Sequence, residues 1–263
     1  MITTAVVLAR GLGTRMRAEG SGELSEAQRA AASAGYKALM PIGEHRLVDY
    51  SLSALADAGI RRVVLVVAPD HDEFRAHIEQ VRPQRLDVAF AVQEEPLGTA
   101  DAVAAAADAV AGEGCIVVNG DNLYPAEGLR ALAERGGNAL LGFDRIALVE
   151  RSNIPEERIA AFALIDESEG MLRSIVEKPD AAVVEAAGPH ALVSMNCFAF
   201  TPEIFDACRR IEKSARGEFE IVDAVALLDD VAVVPFAGGV LDLSRRDDIA
   251  EVERRLAEFH VRL

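Results

Sequence analysis

The chain has 263 residues, 51% of them hydrophobic, enough to build the core of one large α/β domain. Its formal charge of −16 argues against nucleic acid as a partner, because that binding uses Lys and Arg to neutralise phosphates. A small anion stays open to it, since a few cations in one cleft, with a divalent metal, can hold a phosphate. No apolar run approaches the roughly 20 residues of a membrane span, and no secretory pattern opens the chain. The cytoplasm is therefore the expected location, with no membrane partner and with Cys115, Cys197 and Cys208 as reduced core residues.

The first element predicted is a buried strand at Ala5 to Ala9, an unbroken small and apolar run. Arg10-Gly11-Leu12-Gly13-Thr14-Arg15 then turns sharply. Gly11 and Gly13 free the backbone for close approach to a ligand, and N–H groups in such a loop can face phosphate oxygens. Arg15, with Arg10 and Arg17 beside it, adds planar cationic donors. The loop is a polyphosphate cradle or an ordinary strand-to-helix turn. It lacks the third glycine of the dinucleotide fingerprint and the Gly-Lys-Ser/Thr of the Walker pattern.

Ser25 and Gln28 have capping-box spacing and Gly35 is a helix stop, so the pattern predicts a short helix at 26–34, flanked by Gly20-Ser21-Gly22. Helices are predicted at 47–58, 70–81 and 100–111, and strands at 62–68, 88–93 and 115–119. Four strands, each followed by a loop and a helix, imply a three-layer α/β/α sandwich with a mainly parallel, mixed sheet. Ligands in such sheets sit beyond the carboxyl ends of the strands. The loops at 10–17, 93–99 and 119–123 all fall there. The second half is less regular, with strands expected at 139–143, 161–165, 172–176, 191–200 and 231–236. A hairpin turn is expected at 167–170, helices at 202–211, 221–228 and 247–259, and a loop with a short strand at 238–243. No linker or repeat is visible, and one domain over 1–263 is expected, in two halves at 1–125 and 126–263 and with no C-terminal β-helix.

Asp121, after a buried strand and a glycine, is placed either to hold Mg²⁺ or to cap a turn, and Asp242 is the second such carboxylate. Lys37 and Lys178 are phosphate contacts or surface lysines. Gln93 can read the edge of a base or face water, and Gly98 would admit a ring. Asn196, inside an apolar run, is a structural bridge or a contact to a polyhydroxyl ligand. Arg216 to Asp223 is a loop over a ligand or a solvated helix start. The histidines form no cluster and no serine sits in a nucleophile elbow, so a covalent nucleophile is not indicated.

In order along the chain, these pieces resemble the sugar-1-phosphate nucleotidylyltransferases, most of all the glucose-1-phosphate thymidylyl- and uridylyltransferases. L-A-R-G-L-G-T-R-M resembles the family's G-x-G-T-R loop, Lys37-Ala38-Leu39-Met40-Pro41 its P-K-A-L-x-P, and Gln93 with Pro96 to Ala100 its base-reading segment. Asn119-Gly120-Asp121 is similar to its metal-binding G-D and Val176 to Pro179 to its V-E-K-P. Arg216 to Ile221 is similar to R-G-E-x-E-I and Leu241-Asp242-Leu243 to the second metal aspartate. The resemblance implies attack by a sugar 1-phosphate on the α-phosphorus of a nucleoside triphosphate, with pyrophosphate leaving. Catalytic roles would fall to Arg15, Lys37, Asp121 and Lys178, and Mg²⁺ to Asp121 and Asp242. The nucleotide would lie on Ala9, Gly11, Gly13, Thr14, Gln93, Gly98 and Thr99, and the sugar on Asn119, Glu177, Lys178 and Asn196.

UTP or dTTP is the expected donor. A guanylyl- or adenylyltransferase on a sugar or cyclitol 1-phosphate, and a non-catalytic regulatory homologue, are the alternatives. A homologue without activity would be expected to lose Arg15, Lys37, Asp121 or Asp242, and all four are present. Residues 18–36 stand as an insertion, expected to be a flap over the triphosphate or an oligomer contact. Ala160 to Ala163 replace the usual sugar-side Tyr-Gly. A homo-oligomer is expected from the frequency of symmetric assemblies.

Overall fold

The computed structural model describes residues 1–11, 13–17 and 24–263. The first half alternates strand and helix: β1 (Thr4–Leu8), α1 (Thr14–Arg17), α2 (Glu26–Ala34), a 3-10 turn (Lys37–Leu39), the ribbon β2 (Pro41–Ile42) and β3 (His45–Arg46), and α3 (Leu47–Asp57). Then come β4 (Arg62–Val67), α4 (Asp72–Val81), β5 (Asp87–Val92), α5 (Thr99–Ala105), α6 (Ala107–Val110), β6 (Cys115–Asn119) and β7 (Asn122–Leu123). The second half holds α7 (Ala126–Arg135), β8 (Ala139–Asp144), α8 (Arg145–Arg151), α9 (Glu156–Ile159), β9 (Leu164–Ser168), β10 (Met171–Val176) and α10 (Ala181–Ala187). It ends with β11 (Leu192–Phe200), α11 (Glu203–Arg210), α12 (Ile221–Val225), β12 (Ala232–Phe236), β13 (Leu241–Asp242) and α13 (Asp248–Leu256).

One nine-stranded sheet, in the order β5-β4-β1-β6-β11-β8-β12-β10-β9, carries the molecule. From β5 to β6 every pairing is parallel, as the apolar runs of strands buried on both faces predict. Beyond β6 the pattern changes. β11 runs antiparallel to β6 and β8, while β12 is parallel to β8. Most strands therefore share one direction, with β10 and β11 opposed. β9 also pairs with β11 at Val193 and Leu164, so β11, β8, β12, β10 and β9 close on themselves. Two apolar clusters flank the sheet. One is built on Ala5, Val7, Val63 and Leu65, the other on Val6, Val64 and Val66, the alternating faces of the same strands. Among the described residues no helix is long and apolar enough to cross a membrane.

The helix expected at 26–34 is α2, capped at Ser25, with Gln28 answering from inside and Gly35 left-handed at its end. It is docked, not free: Ala32 is fully buried and the Gln28 amide donates to the Pro41 carbonyl. The described part of the insertion is thus a packed helix; Gly20-Ser21-Gly22 lie outside the described residues. The hairpin joining β9 and β10 turns on Glu169 (φ 55°) and Gly170 (φ 75°), as a two-residue turn with two positive φ angles requires. The strand expected at 161–165 begins only at Leu164, because 161–163 complete the turn after α9. Helices α7, α8, α9 and α10 were not among the predicted elements.

Candidate active site

At the carboxyl ends of β1, β5 and β6 lies a cleft of about 480 Å³. Its walls include Ala9, Gly11, Gly13, Thr14 and Arg15 from the first loop, Lys37, Gln93, Gly98 and Thr99, and Asn119 to Asp121. The three loops expected at one rim do meet there. Nothing stands within 4 Å of where a Gly11 side chain would be, so that backbone faces open space. Gly13 has a different reason: at φ +58° a Cβ there would meet the Gly35 carbonyl oxygen at 2.5 Å. The three arginines divide. Arg10 donates to the Gln93 and Glu94 carbonyls at 2.8 and 3.0 Å, tying two rim loops together. Arg17 donates to the Ala34 carbonyl at 2.8 Å, which joins α1 to α2. Arg15 lines the cleft and donates to no described residue.

Lys37 Nζ meets Asp121 Oδ2 at 2.7 Å across the cleft, both side chains partly exposed. The 3-10 turn that carries Lys37 is held by its backbone, with Lys37 N–H donating to Gly35 and Met40 N–H back to Lys37. Asp121 is placed by the two-residue ladder of β7 with β13, which pairs Asn122 with Asp242, and by the Leu243 N–H donating to the Asp121 carbonyl. The two carboxylates expected as a metal pair are thus brought side by side, but differently occupied. Asp242 is buried; its Oδ1 accepts from Asn122 Nδ2 at 3.1 Å and Ser244 Oγ at 3.0 Å, and its Oδ2 is paired with Arg158. Arg158 also reaches Asp248 at 3.1 Å, and Asn153 brackets the Asp242 backbone. Burial, then the neighbouring Asp121 charge, push the Asp242 carboxyl up. Among the described residues no group of three or more His, Cys, Asp or Glu is placed to hold a metal.

On the opposite side, Gln93 is buried and its Nε2 donates to the Gly98 carbonyl at 3.0 Å and to Asp101 Oδ2 at 2.8 Å. Gly98 leads α5 with φ 118° and ψ −179°, a region open essentially to glycine alone. Lining the cleft is only part of its requirement. A Cβ there would meet the Phe219 carbonyl oxygen at 2.4 Å. Phe219 N–H donates to the Leu97 carbonyl at 2.7 Å, Ala100 N–H to the Phe219 carbonyl at 2.9 Å, and Ile221 N–H to Thr99 Oγ1 at 2.9 Å. The Arg216 to Ile221 segment is therefore stitched onto the rim loop at 97–100, and Glu218 reaches the cleft wall.

Glu177 and Lys178 follow β10, away from that cleft wall. Lys178 holds φ 45°, left-handed for a non-glycine residue. Burial of its carboxyl and the charge of Glu220 push Glu177 up, against Arg216 and Lys178, so the four groups form one charged neighbourhood. Arg216 Nε donates to Glu220 Oε1 at 3.0 Å. Asn196 sits at a break in the β11 ladder, between Ser194 and Phe198, with φ 54°. Carrying the Val117–Phe198 register two residues further brings it level with Asn119. Its carboxamide has no protein partner among the described residues. Sequence reasoning missed Arg158, Asn153 and Asp101. Asp101 lies eight residues after Gln93, one position past the motif that ends at Ala100, and that proximity was the one available signal; Arg158 and Asn153 lie in no motif.

Cations facing a carboxylate at the carboxyl rim of parallel strands suit a phosphate chain, and the class of protein so defined is an α/β nucleotide-handling enzyme. The chain belongs to the nucleotidyl transferase family, whose model matches residues 4–237. It is 28% identical to the UTP–glucose-1-phosphate uridylyltransferase AglF of Haloferax volcanii, over 97% of this chain and 96% of that protein. It is 30% identical to a glucose-1-phosphate thymidylyltransferase of Streptomyces griseus, over 97% of this chain and 66% of that one. A third relative is the low-salt glycan biosynthesis nucleotidyltransferase Agl11 of H. volcanii, at 29% identity over 85% of this chain; the chain spans 61% of its length. A solved UDP-glucose pyrophosphorylase complexed with UDP-glucose aligns at TM-score 0.75 over 99% of this chain and all of that one. At 17% identity, that likeness shows the fold. The resemblance drawn from the motifs, to sugar-1-phosphate nucleotidyltransferases, is borne out, and the chain is an enzyme of that class.

Proposed function

We propose that this chain transfers a uridylyl or thymidylyl group from UTP or dTTP to a hexose 1-phosphate, in a magnesium-dependent reaction. A phosphate oxygen of the sugar 1-phosphate forms the new bond to the α-phosphorus; the α–β anhydride bond breaks and pyrophosphate leaves. Such chemistry needs positioning and charge stabilisation more than a nucleophilic side chain. Arg15, which pairs with no described residue, and Lys37 would stabilise the triphosphate. Lys178, Glu177, Asn196 and Asn119 would receive the sugar phosphate and hydroxyls.

The donor set supports one protein carboxylate for Mg²⁺. Asp121 Oδ1 has no partner among the described residues at the cleft, and Mg²⁺ is commonly held by one or two carboxylates with phosphate oxygens and water. Asp242 would join only by giving up Arg158. The bound ion would neutralise charge on the phosphates. The observation that carries the reading is the Lys37–Asp121 pair at 2.7 Å, a cation and a hard-metal carboxylate together at the wall of a nucleotide-sized cleft.

The test is pyrophosphate release across UTP, dTTP, GTP, CTP and ATP against a panel of sugar 1-phosphates, with Mg²⁺ and with chelator. Release needing both substrates and Mg²⁺, fastest with UTP or dTTP and reduced at least ~100-fold in Asp121→Asn, is the expected outcome. Release with GTP or ATP as the preferred donor, or unaffected by chelator, overturns the base or the metal assignment.

A further inference from the structure

The carboxamide of Gln93 is held in one orientation by groups that cannot donate. Its Nε2 faces the Gly98 carbonyl oxygen at 3.0 Å and Asp101 Oδ2 at 2.8 Å. A carbonyl and a carboxylate are acceptors only, so turning the amide over would set Oε1 against two acceptors and strand both. Asp101 belongs to the first turn of α5, where the helix dipole favours its negative charge. The rest of Gln93 is equally fixed: its N–H donates to the Val67 carbonyl at 2.9 Å and its carbonyl accepts from Arg10 at 2.8 Å. Oε1 makes no hydrogen bond to any described residue. No buried side-chain oxygen or nitrogen of the described residues lacks a partner, so Oε1 is not sealed in, and the open space beside this buried residue is the cleft.

We infer that Asp101 is a specificity-determining positioning residue: by locking the Gln93 carboxamide it leaves Oε1 alone to meet the base, and so selects bases whose ring nitrogen carries a proton. Uracil and thymine offer such an N–H at N3. Cytosine presents a lone pair there, as adenine does at N1, and would face Oε1 acceptor to acceptor. This rests on the proposed nucleotide reading of the cleft and gives the preference for UTP or dTTP over CTP and ATP a physical cause; guanine, which carries a proton at N1, is not separated by this contact.

The experiment uses the full chain with Mg²⁺ and measures binding of UTP and CTP by calorimetry, alongside kcat and KM with the sugar 1-phosphate it accepts. The wild-type chain is expected to prefer UTP over CTP by ~10-fold or more. Asp101→Asn keeps the shape but can donate as well as accept, so only the Gly98 carbonyl still opposes a turned Gln93 amide and the turned form is populated. Its UTP-to-CTP preference is expected to fall at least ~5-fold, chiefly through KM for the nucleotide, with KM for the sugar phosphate and the melting temperature little changed. Asp101→Glu, still acceptor only, is expected to retain preference for UTP. An Asp101→Asn chain that binds UTP with the wild-type preference overturns the assignment and leaves the nucleotide reading standing. A wild-type chain that binds UTP and CTP equally does the same. A wild-type chain that binds no nucleotide overturns the nucleotide reading, and this assignment with it.

Discussion

Asn196 and Lys178 hold left-handed backbone at φ 54° and 45°, a conformation that costs a side chain roughly 1–2 kcal/mol. Asparagine tolerates it better than most residues, and glycine better still. Asn196→Gly is therefore expected to leave the melting temperature unchanged or slightly raised. If the free carboxamide holds the sugar, KM for the sugar 1-phosphate rises ~10-fold while KM for the nucleotide stays put. A melting temperature that falls with both KM values intact would make Asn196 a structural bridge. The sequence marked this residue because it is polar inside an apolar run, but not its backbone angle, which depends on the break in the β11 ladder. Arg10 shows the same limit. It was legible as a cation beside a glycine loop, while the Gln93 and Glu94 carbonyls that it serves lie more than 80 positions away. Arg158 serves Asp242 at a similar distance, outside every motif.

Among the elements, those with local signals were legible to their ends. α2 begins at its capping box and stops at a left-handed glycine, and β6 is the apolar run at 115–119. The missed helices carry weaker signals: α8 and α10 have a single aspartate cap, at Asp144 and Asp180, without the reciprocal bond of a capping box. α7 carries the poor helix former Gly128 in its interior, where a Cβ would meet the tip of the Leu141 side chain at 2.8 Å, a closeness of packing against the sheet that sequence does not display. α10 buries none of its residues, so no apolar stripe marks it. At the rim, Gly98 and Gly217 make a controlled comparison. Both have positive φ, but a Cβ on Gly217 meets nothing within 4 Å, whereas one on Gly98 collides with the Phe219 backbone. Gly217→Ala is expected to cost about 1 kcal/mol in denaturant unfolding. Gly98→Ala is expected to cost about 2 kcal/mol or more, and to weaken nucleotide binding by detaching the 214–221 segment from the loop. Equal losses in the two variants would show that the backbone contact at Phe219 contributes little.

Over the whole molecule, the end of the chain fastens the beginning. Arg246 donates to the Met16 carbonyl at 2.8 Å, Gly43 N–H to Glu253 at 3.1 Å, and Arg262 N–H to Ser53 at 3.0 Å. Arg262 and Arg85 both reach Asp57, at 2.8 and 2.7 Å. Burial pushes the Asp57 carboxyl up, but hydrogen bonds and charge from the two arginines outweigh it and hold it below its ordinary value of 3.8. A carboxyl lowered on folding stabilises the native state above its unfolded pKa, and that contribution fades as pH falls through the folded one. Asp57→Asn is thus expected to lower stability by up to about 1 kcal/mol near neutral pH. The gap from wild type should narrow below pH 4, followed by calorimetric melting. A gap independent of pH would assign the loss to packing.

The ladder of β7 with β13 joins Asn122 to Asp242, and Asp121 takes its place beside that ladder. A ribosome adds roughly 5–20 residues each second, so the partner of that strand emerges on the order of ten seconds after Asp121 has been made. Through that interval the growing chain holds the glycine loop, Lys37 and Gln93 without the strand that steadies the aspartate facing them. The enzyme therefore becomes competent only once the strand at Leu241–Asp242 has been made.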